Sequence, residues 1–253
     1  MKKRLDIQMV DLGLADNRSQ AQALIMAGLV SANGKRLDKP GMMLDVEMKI
    51  AVKQRPRFVS RAGEKLASVA EKFDLRFKDK VVLDVGSSTG GFTDFAIQNG
   101  ATKVFAVDVG TGQLSYKLRQ DERVVLMEQT DIRDAALPDV PDLAVVDVSF
   151  ISLRKILESV RDLIREDGVI AAMAKPQFEA GKPLADKYRG VIPTGPERDQ
   201  VLVDLREWLE EKRFSILDEA DSGVAGSSGN VEHFFLLGSL ERDRPRGSAR
   251  ATL

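Results

Sequence analysis

The sequence predicts an α/β protein in which a small α/β domain precedes a doubly wound, mostly parallel sheet. Three observations indicate this fold. From about residue 81 onwards, short apolar runs alternate with helical patterns, as in sheets covered by helices. The first run, Val81–Val85, leads through a glycine-bearing turn into a helical pattern, Phe92–Gln98, which is how a βα unit begins. Before residue 60 the elements are shorter and basic residues are frequent, which indicates a separate module.

Composition excludes several kinds of site. The chain has no cysteine, so disulfides and thiolate metal sites are excluded. A single histidine, His233, argues against a histidine metal site or a Ser-His-Asp triad, and we expect no metal. Neither a run of about 18 apolar residues nor the apolar core of a signal peptide is present. We therefore expect a cytoplasmic protein without stable membrane association.

The charge distribution is asymmetric. Residues 1–59 carry 11 Lys and Arg against 6 Asp and Glu, whereas the rest of the chain carries 27 against 33. A basic module in front of a mildly acidic one suggests that the first binds a polyanion and the second binds something else. We predict a first domain at 1–54, a polar linker at 55–60, a second domain at 61–240 and a disordered tail at 241–253.

The first module is predicted to contain two short helices, a hairpin and a final strand. The second helix is capped by Asn17 or Ser19 and ends at Gly28, and Asn33-Gly34 forms the hairpin turn. The motifs R-L-D, S-Q-A-Q-A-L-I-x-A-G-L-V, N-G and K-P-G resemble the RNA-binding domain named after ribosomal protein S-four. By position in that fold, the side chains expected to contact RNA phosphates are Arg4, Arg18, Lys35 and Arg36. The alternative for each of them is a solvated surface charge.

In the second domain the alternation predicts seven strands. They are Val81–Val85, Lys103–Asp108, Val124–Met127, Leu143–Asp147, Val169–Met173, Phe214–Ala220 and His233–Leu237. The longer helical patterns cover Leu153–Ile164 and Glu197–Lys212. Such sheets bind ligands at the carboxyl ends of their strands, where the strand order reverses. Polar residues lie at or just beyond those ends, namely Asp84, Asp108, Asp131, Asp147 and Lys175.

The glycine turn indicates which ligand the sheet binds. The spacing of Gly86, Gly90 and Gly91 does not match a dinucleotide fingerprint, and the turn has no lysine for a phosphate loop. Carboxylates at Asp84 and Asp108 would repel phosphate, but they suit a cofactor with ribose hydroxyls, an ammonium and a sulfonium, such as S-adenosylmethionine. The pattern D-V-G-x-x-x-G-G-F followed by V-D resembles motif I and the acidic second-strand end of class I methyltransferases, which have a Rossmann-like fold. The alternative is a glycine-rich turn of another doubly wound protein.

This resemblance implies a set of cofactor-binding residues around the turn. The glycines would line the cofactor, Asp108 would hold its ribose hydroxyls and Asp131 would face its adenine. The full set is Asp84, Gly86, Ser87, Ser88, Gly90, Gly91, Phe92, Asp108, Asp131 and Asp147.

Four polar residues match a catalytic set. Strand four lacks the Asn/Asp-Pro-Pro-aromatic turn of many adenine-directed methyltransferases, so methylation of a base amine fits poorly. The motifs S-R-A-G-E-K-L, V-V-D-V-S-F, A-K-P-Q-F-E and G-N-V-E-H-F match the lysine-aspartate-lysine-glutamate set of FtsJ-type ribose 2′-O-methyltransferases. The matching residues are Lys65, Asp147, Lys175 and Glu232. With the first module, residues 2–240 look like the TlyA family, often named haemolysins but similar to rRNA 2′-O-methyltransferases.

The resemblance implies a role for each of the four residues. A ribose hydroxyl is a weak acid, so its attack on a sulfonium methyl needs a proton acceptor and a fixed geometry. We expect Lys175 to be that base, since burial and a neighbouring cation, Lys65, both favour an uncharged amine. Asp147 would steer Lys175, and Glu232 would hold a lysine or the ribose. The alternative is a set of ordinary ion pairs at the rim of the sheet.

We therefore expect S-adenosylmethionine-dependent 2′-O-methylation of ribosomal RNA, at a cytidine of the small or large subunit by resemblance, with ribosomal RNA or ribosomal subunits as the partner. The alternatives are a non-catalytic RNA-binding protein of ribosome assembly and a membrane-lytic haemolysin. Phe92, Phe150 and Phe178 lie near the same rim, where one of them could receive a splayed-out nucleoside, or all could be core. Residues 181–195 could form a lid or be disordered without RNA.

Overall fold

The computed structural model describes residues 2–53, 57–226 and 229–239, and the chain divides into two compact units, Met1–Pro56 and Arg57–Leu253. The predicted disordered tail at 241–253 and the start of the predicted linker lie outside the described residues. Phe58, near the other end of that linker, is buried against Phe95 in the core of the second unit.

The first unit consists of two helices and two small antiparallel sheets. Its elements are β1 (Lys2–Arg4), α1 (Leu5–Asp11), α2 (Arg18–Met26), β2 (Val30–Ala32), β3 (Lys35–Arg36), β4 (Met43–Asp45) and β5 (Ile50–Val52). β1 pairs with β4, and β2 pairs with both β3 and β5. The predicted helices, hairpin and last strand are present, whereas the β1–β4 pair was not predicted. The cap of α2 is Asn17, whose side chain accepts the Gln20 N–H at 2.9 Å.

A small apolar core holds the first unit together. Leu5 and Met9 of α1, Ile25 of α2 and Val30 of β2 are fully buried in it. The hairpin turn has φ values of 50° and 76° at its two central residues, the left-handed pair that a two-residue turn needs. The turn leaves both residues of β3 exposed to solvent.

The second unit is a seven-stranded mixed sheet with helices on both faces. Its strands are β6 (Val81–Val85), β7 (Lys103–Val107), β8 (Val124–Met127), β9 (Leu143–Val146), β10 (Val169–Ala174), β11 (Phe214–Asp221) and β12 (His233–Ser239). Its helices are α3 (Arg61–Ala70), α4 (Gly91–Gln98), α5 (Tyr116–Arg119), α6 (Leu157–Leu163), α7 (Pro176–Glu179), α8 (Gly181–Lys187) and α9 (Pro196–Glu211). The strand order is β11-β12-β10-β9-β6-β7-β8. β12 runs antiparallel to both of its neighbours, β10 and β11, and the other described pairs of this sheet are parallel. The predicted Rossmann-like fold is confirmed.

Two regions differ from the predicted elements. The pattern at Leu153–Ile164 predicted one helix, but the chain forms a 3₁₀ turn, Leu153–Lys155, and then α6. Residues 181–195, expected to be a lid or disordered, contain α8. This segment is tied to its surroundings, because the Asn230 side chain accepts the Ile192 N–H at 3.0 Å and donates to the Gly190 carbonyl at 2.8 Å.

The sheet is buried on both faces, which is why its parallel strands read as continuous apolar runs. Leu83 of β6 and Phe105 of β7 face a cluster that includes side chains of α6 and α9. Val82 and Val104, the residues before them, face the opposite cluster with α3 and α4. The alternation follows from the two-residue period of a strand.

The strand order reverses next to β6. From β6 the chain proceeds outward to β7 and β8, and it then returns to the other side of β6 with β9 and β10. The loops after β6 and β9 therefore diverge and leave a crevice at the carboxyl ends of these strands.

Within the described residues, no helix is long and apolar enough to cross a membrane. In the same part of the chain, no group of three or more His, Asp or Glu side chains is arranged to hold a metal ion.

Candidate active site

The turn between β6 and α4 contains glycines that pack against the protein itself. Gly86 has a φ of 81°, and a Cβ there would collide with the Asp147 carbonyl beyond β9. A Cβ at Gly91 would collide with Ser60 and with the Gly63 backbone at the start of α3. Glycine at these two positions therefore lets β6, the end of β9 and α3 approach each other closely.

Asp108, directly after β7, holds this turn from the other side. Its Oδ2 accepts the Ser88 N–H at 2.8 Å and its Oδ1 accepts the Gly110 N–H at 2.7 Å. The two bonds fix the orientation of the carboxylate, and each oxygen keeps a lone pair for a further donor.

A cavity of about 360 Å³ lies at the carboxyl ends of β6, β7 and β9. Val107, Ile132 and Ile156 contribute apolar wall, and carboxylate, hydroxyl and amide side chains contribute polar groups. The predicted cofactor-binding residues that line it are Gly86, Ser88, Asp108, Asp131 and Asp147. Its size and mixed lining are those of a small-molecule site.

Asp131 is already engaged by a neighbour. The Arg133 guanidinium donates from Nε to Asp131 Oδ1 at 2.9 Å and from Nη2 to Oδ2 at 2.5 Å. These bonds lower the pKa of Asp131 to about 2. The side chain is therefore an ionised acceptor at neutral pH.

A smaller cavity of about 130 Å³ adjoins the first. The two share Gly86, Ser88, Asp147 and Ser149 in their walls. Ser87, Phe92 and Lys175 line the smaller one only. Among the predicted cofactor-binding residues, Asp84, Gly90 and Gly91 line neither of these two cavities.

Lys175 and Asp147 form an ion pair at the shared wall. β9 and β10 stop pairing at Val146 and Ala172, and the two side chains meet just past that ladder, with Nζ 2.6 Å from Oδ1. They are 12% and 16% exposed. The Lys175 Nζ also donates to the Ser149 hydroxyl at 2.8 Å. Ser149 was missed by the sequence analysis, although it stands in the quoted motif V-V-D-V-S-F.

Lys65 and Glu232 form a second ion pair. Lys65 projects from α3 and Glu232 directly precedes β12, and Nζ lies 2.8 Å from Oε1. Both are nearly buried, at 12% and 4% exposure. The four predicted catalytic residues thus meet as two pairs. The cation expected beside Lys175 makes its contact with Glu232 instead.

Asp84 lies beneath the glycine turn. It is fully buried and its Oδ2 accepts the Thr93 hydroxyl at 2.5 Å. Burial raises the pKa of Asp84 to about 7, and the charges of Asp147 and Asp108 add to this effect, while the Thr93 hydrogen bond opposes it. Its structural role is to join the end of β6 to α4.

Glu179 joins the loop after β9 to the helix that follows Lys175. Its Oε2 accepts the Ser152 hydroxyl at 2.6 Å, its Oε1 accepts the Leu153 N–H at 2.7 Å, and the Arg154 guanidinium lies 3.7 Å away. Burial raises the pKa of this carboxyl. Sequence reasoning missed Glu179, because its partners belong to another element.

The three candidate phenylalanines occupy different environments. Phe92 is buried and contacts Phe234, so its packing is that of a core residue. Phe150 is 92% exposed, with its ring centroid 5.2 Å from that of Phe178. It has a φ of 64°, a backbone conformation that is uncommon for a bulky residue.

The four residues of the first unit predicted to contact RNA differ in their exposure and in their hydrogen-bond partners. Lys35 and Arg36 are exposed on β3. Arg4 and Arg18 both donate to the buried carboxylate of Asp6. Sequence reasoning did not single out Asp6, although it is the last residue of the R-L-D motif.

Comparisons with known proteins agree with this geometry. The FtsJ-like methyltransferase family matches residues 58–239, and the S4 domain matches residues 3–50. The chain is 45% identical to YqxC of Bacillus subtilis (strain 168), over 93% of this chain and 85% of YqxC. It is 35% identical to the 16S/23S rRNA (cytidine-2'-O)-methyltransferase TlyA of Mycobacterium tuberculosis, over 93% of this chain and 90% of that protein.

One solved structure is similar to this chain in fold and in sequence. It is that of a hemolysin-named protein from Streptococcus thermophilus, 39% identical, with a TM-score of 0.71 over 97% of this chain and 92% of that one. The resemblance carried by the motifs is confirmed. This chain belongs to the FtsJ-like methyltransferase family and carries an S4 domain in front of its methyltransferase domain.

Proposed function

We propose that this protein methylates a ribose 2′-hydroxyl of ribosomal RNA with S-adenosylmethionine as the methyl donor. The observation that carries the proposal is the position of the Lys175–Asp147 pair. Asp147 lines both cavities and Lys175 lines the smaller one. A candidate proton acceptor therefore stands at the wall between a site for a cofactor and a site for a nucleoside. The name of the similar TlyA protein, a cytidine-2'-O-methyltransferase, supports the choice of a ribose hydroxyl.

The larger cavity fits S-adenosylmethionine by the chemistry of its lining. Asp108 offers oriented carboxylate oxygens to ribose hydroxyls, and Asp131 offers an ionised acceptor toward the adenine end. Ile132 and Ile156 supply apolar wall for a purine. The carboxylate of Asp147 suits a positively charged group at the shared wall. The cofactor, when bound, supplies an electrophilic methyl group.

The residues of the smaller cavity handle the hydroxyl proton. We assign Lys175 as the acceptor of this proton, and Asp147 and Ser149 hold its Nζ within 2.6 and 2.8 Å. Fixed geometry matters here because misplacing a catalytic group by about 1 Å lowers rates by about 100-fold. Proton acceptance by a positioned side chain contributes about 10²- to 10⁴-fold.

The second pair acts as an electrostatic support. Glu232 is nearly buried and fixes the ammonium of Lys65. A cation held in place stabilises negative charge that develops on the ribose oxygen. We assign this role to Lys65 and the holding role to Glu232.

The target nucleotide is received by an exposed aromatic ring. Phe150 lines the larger cavity, and its chain neighbour Ser149 lies in the wall that this cavity shares with the smaller one. An exposed ring of this kind stacks a base that has left its helix. The S4 domain supplies phosphate contacts through Lys35 and Arg36, together with Arg4 and Arg18.

The test is transfer of labelled methyl groups from S-adenosylmethionine to purified ribosomal subunits. The labelled nucleotide is mapped, and its 3′-linkage is expected to resist alkali because a 2′-O-methyl group cannot attack the phosphate. Lys175→Ala should abolish transfer while calorimetry still detects cofactor binding. Lys103→Ala is the matched control, since Lys103 pairs with Asp139 on the surface, and it should leave transfer unchanged.

Two outcomes would contradict the proposal. A label whose 3′-linkage is cleaved by alkali would place the methyl group on a base. Binding to subunits without any transfer would indicate the non-catalytic alternative. The membrane-lytic alternative is tested separately by leakage of liposomes, where we expect none.

A further inference from the structure

The R-L-D motif of the first unit brings two arginines onto one buried carboxylate. Asp6, in the first turn of α1, is fully buried. Its Oδ1 accepts Arg4 Nε at 3.0 Å, and its Oδ2 accepts Arg4 Nη2 at 2.9 Å. The same Oδ2 accepts Arg18 Nε at 2.8 Å and Gln22 Nε2 at 2.9 Å. Arg4 precedes α1 and Arg18 begins α2, so one acceptor joins the starts of both helices.

The two arginines remain open to solvent while they are held. Their side chains are 40% and 55% exposed. Within residues 2–53 Arg18 uses only its Nε, so the four N–H groups on its two terminal nitrogens face no partner. Because Arg4 and Arg18 share an oxygen of Asp6, their guanidinium groups lie side by side. Two adjacent guanidinium forks can each bind one free oxygen of a phosphodiester.

We infer that Arg4 and Arg18 form one composite phosphate-binding site for RNA and that Asp6 is its positioning residue. This inference rests on the proposed RNA-binding role of the S4 domain and names the site within it. Arginine side chains are flexible, and ordering them on binding lowers affinity. Asp6 orders both before RNA arrives. The gain from this preorganisation outweighs the repulsion between its own charge and the phosphate, since the carboxylate is covered by the two cations.

For Asp6→Asn, net charge alone predicts the opposite change in RNA affinity from the one that we expect. Asp6→Asn makes the domain more positive by one unit, which by charge alone would strengthen RNA binding. A neutral amide accepts fewer and weaker bonds from guanidinium groups than a carboxylate does. The arginines then lose their shared anchor, and we expect RNA binding to weaken instead.

A matched control exists on the same helix. Asp11 is at the end of α1, is exposed, and pairs with Lys3 on the surface. Asp11→Asn changes the net charge by the same amount without touching Arg4 or Arg18. Binding of the full-length variants to purified small and large ribosomal subunits is measured at several salt concentrations.

We expect Asp6→Asn to weaken binding about tenfold and to reduce the salt slope by about one to two phosphate contacts. Asp11→Asn should bind as tightly as the unaltered protein or slightly more tightly. Equal or tighter binding by Asp6→Asn would overturn the inference.

A double-mutant cycle separates positioning from loss of fold. In a background with Arg4→Gln and Arg18→Gln, Asp6→Asn should cause no further loss of affinity, because the site it orders is gone. A further loss in that background would mean that Asp6 acts through stability, and would refute the positioning role. If the two arginine changes alone leave binding unaltered, the phosphate site is refuted, whereas methyl transfer to the ribose is judged independently by the labelled mark.

Discussion

Replacing Glu179 tests whether the segments that carry Asp147 and Lys175 are held by a contact outside the four predicted catalytic residues. Past Val146 and Ala172 the ladder between β9 and β10 ends, so pairing between these two strands no longer aligns Asp147 with Lys175. Glu179 links these segments by accepting bonds at 2.6 and 2.7 Å from the loop after β9. Glu179→Ala should therefore disturb the position of Lys175 without altering any group that touches the substrate.

The magnitude follows from the groups left behind. The Leu153 N–H is buried, and leaving one such donor unpaired costs about 1–3 kcal/mol. The Ser152 hydroxyl is only partly buried and can turn to water. We expect the free energy of unfolding to fall by about 2 kcal/mol. The single-turnover rate of methyl transfer should fall by about 10- to 100-fold, because small displacements of a positioned base have effects of this size.

Glu179→Gln is the matched control. Its amide oxygen can still accept the Leu153 N–H, and its amide nitrogen can donate to the Ser152 hydroxyl. Because burial raises the pKa of Glu179, a neutral side chain is not disfavoured there, and we expect nearly normal transfer. Cofactor affinity, measured by calorimetry, should stay unchanged in both variants. An Ala variant that loses stability but transfers methyl groups at the normal rate would show that Glu179 does not position Lys175.

Three further predictions concern the turn, the buried carboxyl and the exposed ring. Burial raises the pKa of Asp84 to about 7 from 3.8, so between these values the folded chain binds more protons than the unfolded chain, and the free energy of unfolding falls as the pH rises. Urea denaturation at about pH 5 and about pH 8 should show this fall, and Asp84→Asn should remove it. An unchanged pH dependence in that variant would assign the effect to other groups. Gly86→Ala should lower the free energy of unfolding by about 2 kcal/mol more than Gly112→Ala. Both glycines have a positive φ, but only a Cβ at Gly86 collides with the Asp147 carbonyl. Equal losses in the two variants would show that the collision is relieved. Phe150→Ala should leave thermal stability unchanged, since the ring is 92% exposed. The same variant should lower kcat/KM for ribosomal subunits about tenfold, because the stacking contact is lost. An unaffected kcat/KM would exclude the ring from substrate binding.

The fold was predictable because its signals are local. Parallel strands covered on both sides read as apolar runs, and a two-residue period sends Val82 and Leu83 to opposite faces. Helical segments were less predictable. The break between Leu153–Lys155 and α6, and the presence of α8 in the segment expected to be a lid or disordered, depend on contacts with residues far along the chain, such as Glu179 and Asn230.

The sequence named candidate site residues but did not indicate how they pair. Motif positions named Lys65, Asp147, Lys175 and Glu232, yet nothing in their spacing indicates that Lys65 pairs with Glu232, 167 residues away. Ser149 lay unnoticed inside a motif. The burial of Asp84 was likewise invisible, because a carboxyl at a strand end looks the same in sequence whether it faces a cavity or the turn beneath it.

Local sequence patterns were enough to predict the order of strands along the second unit, the glycine turn and the set of polar residues at the strand ends, since each depends on neighbours within a few positions. Only the folded chain shows which of those polar groups meet, which are buried, and how arginines of the first unit are held. These outcomes depend on strand order and on the close packing of distant segments, where displacements of about 1 Å separate a contact from its absence. No local pattern encodes distances of that size.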